Sequence, residues 1–263
     1  MRPAEQESLL LRSIVALRRS GLSHGEALTQ AATGLPQGPL RTRVEHARRS
    51  LSAGTPDHTD PLLASGVTPI AALEHAAHAI DAKLSADATR AMSQRYLTLI
   101  LAGPLVLGAG LAWLTPGLEI DYSGAEHTSK FLRNTLSIIL RFIGVPLALG
   151  IAVLIRRGGD RIAPGTGRIR QAGRLLELAA ADEDPDSHLT EYSDRVYFTT
   201  RVTQTSTSQA AAELATVMVH EGEGRARMFH HLAPLAAALL GVLTLAPILI
   251  IIYSSLLSAT EAM

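Results

Sequence analysis

Cysteine is absent from this 263-residue chain, aromatic residues make up only 4% of it, and lysine occurs just twice, at Lys83 and Lys130. Without cysteine there is no disulfide framework, thiol nucleophile or zinc–thiolate site. Neither lysine follows a glycine, which excludes the phosphate cradle of a P-loop. No sign of charge is in excess, since 24 Lys+Arg balance 24 Asp+Glu. A global basic field that would recruit nucleic acid is therefore missing. The opening Met1-Arg2-Pro3-Ala4-Glu5-Gln6-Glu7 lacks the apolar run of a secretory signal.

Charge is also missing locally. Residues 97–118 carry none, residues 134–155 carry only Arg141, and residues 232–260 carry none. A bilayer core takes about 20 apolar residues to cross, so three transmembrane helices are expected. A soluble enzyme would have to bury all three in a chain of this size, and that class is set aside first. Lys and Arg number 11 in residues 1–95, 2 in 117–133 and 10 in 156–230. Arg90 and Arg95 precede the first apolar run, Arg156, Arg157 and Arg161 follow the second, and Arg225 and Arg227 precede the third. The loop between the first two carries Glu119, Asp121 and Glu126 against Lys130 and Arg133. Basic flanks stay on the cytoplasmic side of an energised membrane.

The expected protein is thus an all-α, multi-pass membrane protein of the bacterial inner membrane with a cytoplasmic N-terminus. A cytoplasmic helical bundle covers 1–95, transmembrane helix 1 covers 96–118, and a periplasmic loop covers 119–133. Transmembrane helix 2 covers 134–155, and a second, shorter cytoplasmic bundle covers 156–230. Transmembrane helix 3 covers 231–259, and a periplasmic tail covers 260–263. Bundle followed by membrane occurs twice, which suggests an internal duplication. At residue level it rests only on Arg90-Ala91-Met92 and Arg225-Ala226-Arg227-Met228.

Within the first bundle, Leu9, Leu10, Ile14 and Leu17 follow helical spacing up to Gly21. Ser23 and Glu26 have the spacing of a capping box for a second helix, which ends at Gly34-Leu35-Pro36. Leu40, Val44, Ala47 and Leu51 form a third stripe before Gly54. Asp60-Pro61 and Thr68-Pro69 each pair a capping side chain with a proline suited to a first helical position. No breaker follows, so one helix is expected from Pro69 to about Trp113. In the second bundle, Gly165-Thr166-Gly167 leads into a helix with Ile169, Ala172, Leu175, Leu176 and Ala179 on one side. The acidic turn Asp182-Glu183-Asp184-Pro185-Asp186 stops it. Tyr192, Val196, Thr199 and Val202 form the next stripe. Ser208 caps a helix through Ala211, Leu214, Val217 and Met218 that Gly222 and Gly224 interrupt.

Groups that could carry chemistry are few, and the sequence predicts no catalytic residue, metal site or cofactor. Glu74, His75, His78 and Asp81 share a helix face, but they offer too few distinct ligands for zinc and no partner that would activate water. His220-Glu221 begins like a zincin motif, yet Gly224 stands where its second histidine belongs. Gly158-Gly159-Asp160 has no second membrane acid to share a proton, and a charge-balanced turn accounts for it. His230-His231 falls at headgroup level. Arg141, the one ionised group inside a span, either snorkels to the outer face or contacts a helix or partner. Pro104, Pro146, Pro234 and Pro247 fall in or near the spans, beside Gly103, Gly108, Gly110, Gly144, Gly150 and Gly241. Small residues of this kind let helices pack closely, within the chain or with partners.

Three stretches resemble the F-domain family of type II secretion and type IV pilus machines, the polytopic inner-membrane platform proteins. Leu9 to Leu28 is similar to its opening helix, Gly-Leu turn (here Gly21-Leu22) and "EAL" helix start (here Glu26-Ala27-Leu28). Arg43–Leu51 with Ser52-Ala53-Gly54 is similar to its third helix. Leu232-Ala233-Pro234-Leu235 is similar to the start of its last span. The chain resembles a divergent member, with Ala233 in place of the family's glutamate and Ala64-Ser65-Gly66-Val67-Thr68 in place of its Gly-Glu pair.

The resemblance implies a non-enzymatic platform in a pilus or secretion assembly. Its partners would be a cytoplasmic assembly ATPase, pilins or pseudopilins, and other inner-membrane assembly proteins, with homo-oligomerisation at the base of the machine. Arg12, Arg18 and Arg19 on the first helix and Arg43, Arg48 and Arg49 on the third are candidate contacts to an acidic partner; a solvated face accounts for them equally. Arg141 is the candidate contact within the membrane. The alternative classes are a small transporter or channel subunit, which would need clustered intramembrane polar groups, and a membrane-anchored regulatory protein.

Overall fold

The computed structural model describes residues 3–54, 60–65, 68–114, 127–158 and 163–261; side chains at 61, 111–114, 127–141, 236–237, 240–241 and 243–261 lie outside that description. Among the described residues every element is helical: α1 (Pro3–Arg19), α2 (His24–Thr33), α3 (Pro39–Ala53), α4 (Pro61–Ala64), α5 (Ile70–Leu114), α6 (His127–Arg157), α7 (Thr166–Ala181), a 3₁₀ turn (Asp186–His188), α8 (Tyr192–Val202) and α9 (Thr207–Glu261). The protein is all-α, as expected. Two compact units divide the chain, unit 1 from Met1–Ala88 with Gly165–Gly224 and unit 2 from Thr89–Pro164 with Arg225–Met263. Helices α5 and α9 contribute residues to both.

Local sequence accounts for most helix ends. Gly21 takes φ +98° after α1, and Gly54 takes φ +67° after α3, a region that disfavours side chains. Both halves of the capping box of α2 are present. The Ser23 hydroxyl accepts from the Glu26 N–H, and the Glu26 carboxylate accepts from the Ser23 N–H at 2.9 Å. Helix α7 ends in a Schellman motif. The Glu183 N–H reaches the Leu178 carbonyl and the Asp182 N–H reaches Ala179, with Asp182 itself left-handed at φ +58°. The Thr68 hydroxyl turns back to the carbonyls of Leu62 and Ser65, tying the exit of α4 to the start of α5.

Four expectations are corrected. Leu9 faces out, and α1 buries Leu10, Leu11, Ile14 and Val15. The stripe of α8 forms on the expected helix, yet three of its four residues face out: Tyr192 is 84% exposed and Val196 and Thr199 are exposed, while Val202 packs against the core and Asp194 and Phe198 are buried. Ser206, not Ser208, supplies the oxygen that accepts from the Gln209 N–H at the start of α9. Gly222 and Gly224 do not interrupt α9, which runs through both.

The core of unit 1 has three parts that share α5, the smallest made of Ala82, Ala86 and Ile169. Leu10, Ile14, Leu28, Val44 and Leu63 pack around Leu73 and Ala77. Leu175, Leu189, Phe198, Leu214 and Met218 pack around Ala79. Side chains of this size contribute about 1.5–3 kcal/mol each on full burial. The start of α7 meets α9 backbone to backbone. A Cβ on Gly165 would lie 2.0 Å from the Gly222 carbonyl oxygen, and one on Gly222 would lie 2.6 Å from Ile169 Cγ1. Gly222 is therefore a packing glycine.

Unit 2 packs in the opposite sense. Its buried positions include Ala109, Gly144, Ala148 and Ala233, and a Cβ on Gly144 would meet Ala109 Cβ at 3.3 Å. Many of its large apolar side chains face outward, among them Leu99 (71% exposed), Leu107, Phe142 (68%), Leu154, Leu235 and Leu239, while Ile155 is buried. Among the described residues no helix is long and apolar enough to cross a membrane. The apolar runs of the sequence extend past the described side chains of α5, α6 and α9. Residues 127–133 of the expected loop belong to α6, whereas Glu119, Asp121, Glu126, Gly159, Asp160 and Arg161 lie outside the described residues.

Candidate functional site

Four of the six arginines singled out on α1 and α3 have partners outside their own helix. Arg12 bonds the Asp81 carboxylate, whose other oxygen accepts from the Ser8 hydroxyl at 2.6 Å. Arg18 donates to the Thr68 carbonyl. Arg19 pairs with Glu74 at 2.5 Å. Arg43 bridges Glu7 on α1 (2.5 Å) and the buried Asp60 before α4. Partial burial pulls its pKa down, but the hydrogen bonds it donates to Asp60 and Glu7 outweigh this and the net direction is upward. These contacts tie α1 and α3 to α5 and α4. Each exposed pair contributes at most about 1 kcal/mol, so their effect is mainly to orient the helices.

Arg48 and Arg49 remain on the outer face of α3. They line a depression of about 410 Å³ with Gly25 and Thr29 of α2 and Leu51 and Ser52 of α3. Arg49 Nε donates to the Glu45 carbonyl at 3.3 Å, and Glu45 pairs with Arg41 at 2.8 Å. Two guanidinium groups beside a hydroxyl and a helix backbone suit an anionic partner surface. The side chain of Arg141 lies outside the described residues.

The histidine and acid face of α5 does not assemble a metal site. Glu74 and Asp81 pair with Arg19 and Arg12, and among the described residues no group of three or more side chains could hold a metal ion. His75 sits between two openings of about 980 and 570 Å³. Burial lowers its pKa, against the raising effects of a hydrogen bond with Ala179 and of Glu74. His24 Nε2 donates to the Leu63 carbonyl at 2.8 Å, and burial lowers its pKa too.

A charge cluster that sequence spacing did not reveal joins α7, α8 and α9. Arg168, with 8% of its side chain exposed, makes a bidentate pair with the buried Asp194 (2.5 and 3.0 Å). It also donates to Glu221 at 2.8 Å and lies 3.5 Å from Glu191. The bonds from Asp194 hold its pKa above the ordinary arginine range. The three acids lie 23, 26 and 53 residues from Arg168, so no local pattern could mark them. His220-Glu221, read for its zincin likeness, supplies one acid of this cluster.

At one end of unit 2, Gln94 of α5 donates to the Ile155 and Arg156 carbonyls at the end of α6, each at 3.4 Å. The Tyr96 ring meets His230 of α9 edge-on, with centroids 5.6 Å apart. Three helices, each bearing a pair of arginines, converge there.

No family profile, curated protein or solved structure matches this chain.

Proposed function

We propose that the chain is a non-enzymatic platform of the bacterial inner membrane that couples a cytoplasmic assembly ATPase to pilin or pseudopilin assembly. The observation that carries the reading is the reversed packing of unit 2. Large apolar side chains face outward and small ones face inward, the arrangement that suits a hydrocarbon surround. In water so much exposed apolar surface would drive aggregation. Unit 1, in contrast, draws on the two charged segments that flank the apolar runs and has a polar exterior. The sequence order of charged and apolar segments agrees with the F-domain resemblance. Arg48 and Arg49 supply a basic surface for an acidic partner on the cytoplasmic side.

The test is co-purification. Detergent-solubilised full-length protein should carry the assembly ATPase with it, and Arg48→Glu/Arg49→Glu should reduce the recovered ATPase at least severalfold. Reporter fusions at Ser123 and Asp184 should lie in opposite compartments. Fusions in the same compartment overturn the membrane reading, and normal ATPase recovery with the double variant overturns the role of α3. Two glycines inserted after Arg90 should abolish fibre assembly while leaving membrane insertion intact.

A further inference from the structure

The arginines at the end of unit 2 do more than their count along the chain suggests. Arg90 and Arg95 lie on α5, Arg156 and Arg157 on α6, and Arg225 and Arg227 on α9. The Gln94–Ile155/Arg156 and Tyr96–His230 contacts bring the three helices together at this level. Arg95, Arg156, Arg157 and Arg225 are exposed. The spans 89–118, 134–159 and 224–260 carry no acid, and Asp87, Asp160 and Glu223 stand just outside them. One to two turns away along each helix the exposed surface is apolar: Leu99 on α5, Val153 and Leu154 on α6, Met228 and Leu232 on α9.

We infer that this collar, resting on the membrane reading above, is a binding site for the phosphate headgroups of anionic phospholipids. The charge complements the phosphate, and the adjoining apolar side chains complement the acyl chains of the same molecule. A free phosphate ion would use only the first of these. Guanidinium matches phosphate with two parallel hydrogen bonds, which an ammonium cannot provide, and every basic residue in the collar is arginine. Basic residues at an anionic surface act together, so the expected consequence is selection among lipids.

Full-length protein purified in detergent is incubated with phosphatidylglycerol or with phosphatidylcholine of the same acyl chains, and retained lipid is counted by native mass spectrometry. Wild type should favour phosphatidylglycerol by about tenfold. The set Arg95→Gln, Arg156→Gln, Arg157→Gln and Arg225→Gln should lose the preference, and the matching lysine set should keep part of it. If the glutamine set does not fold, the single variants Arg95→Gln and Arg157→Gln, each expected to lower the preference severalfold, take its place. Equal retention of the two lipids by wild type overturns the inference, as does an undiminished preference in the glutamine variants. Displacement of the lipid by glycerol phosphate at equal concentration overturns the lipid assignment. Carbonate extraction from vesicles of both lipids reads the membrane proposal separately. Protein released from either vesicle removes that proposal; protein that resists extraction but shows no lipid preference removes only this inference.

Discussion

Units 1 and 2 are built from the same two long helices yet follow opposite packing rules. In unit 1, α5 buries Leu73 completely among Ile14, Leu28 and Leu63. In unit 2 the same helix turns Leu99 and Leu107 outward and keeps Ala109 inside. Periodicity alone does not distinguish these cases, because each presents one large and one small face. What differs is which face meets the neighbouring helices, a difference that the proposed membrane setting of unit 2 would account for, since hydrocarbon in place of water removes the drive to bury large apolar side chains.

The largest effect that would sharpen this contrast lies in the charged interior of unit 1. Asp194→Ala leaves the Arg168 guanidinium buried with weaker partners and should cost about 3–5 kcal/mol in thermal or denaturant unfolding. Replacing the pair together, as Arg168→Met with Asp194→Leu, should recover most of that loss. If the single and double variants are equally unstable, the pair is not what holds α7 to α8. Next comes the outer surface. Leu107→Arg should lower membrane insertion by roughly 3 kcal/mol, read as the fraction recovered in membranes. Leu9→Arg, at an exposed apolar position of unit 1, should change stability by less than about 0.5 kcal/mol. Equal tolerance of the two would break the comparison. Leu73→Ala should cost about 2–5 kcal/mol, and Leu107→Ala far less.

Smaller effects sit at the ends and edges of unit 1. Ser23→Ala removes the hydroxyl half of the capping box, keeps the backbone N–H that Glu26 accepts from, and should cost about 1 kcal/mol in the same unfolding measurement. The buried His24 gives a pH dependence. Its folded pKa lies below the ordinary histidine value of 6.5, first because of burial and further because of Arg18, against the raising effect of the Leu63 carbonyl. The unfolded chain therefore binds the proton more readily. Stability is full above 6.5 and falls as pH drops from there through the folded value. His24→Gln should flatten that fall in unfolding curves collected between pH 7.5 and 5; an unchanged slope would assign it to His75 or another group.

Much of the helical framework was legible because its signals are local. The capping box of Ser23 and Glu26, the left-handed Gly21 and Gly54, and the long α5 all depend on residues within a turn of one another. The face of α8 was not legible. It carries apolar residues on both sides, and the choice is made by Arg168, 26 residues from Asp194. Gly222 read as a break because its partner, Gly165, is far away in the chain. The arginines of α1 and α3 were visible as a basic set, but nothing in their spacing separates Arg43, which holds Asp60, from Arg48 and Arg49 on the open face.

The backbone meeting of Gly165 and Gly222 also fixes where α9 can stand. A shift of one helical turn would bring Met218 or Ala226 to the place Gly222 now occupies, and either side chain would strike the carbonyl of the passing loop. Rotation about the helix axis meets the same obstacle through Glu221 or Glu223. A single missing methyl thus acts as an index mark for the part of α9 that lies in unit 1, and motions that slide or spin that part past α7 are denied while those that carry both together are not.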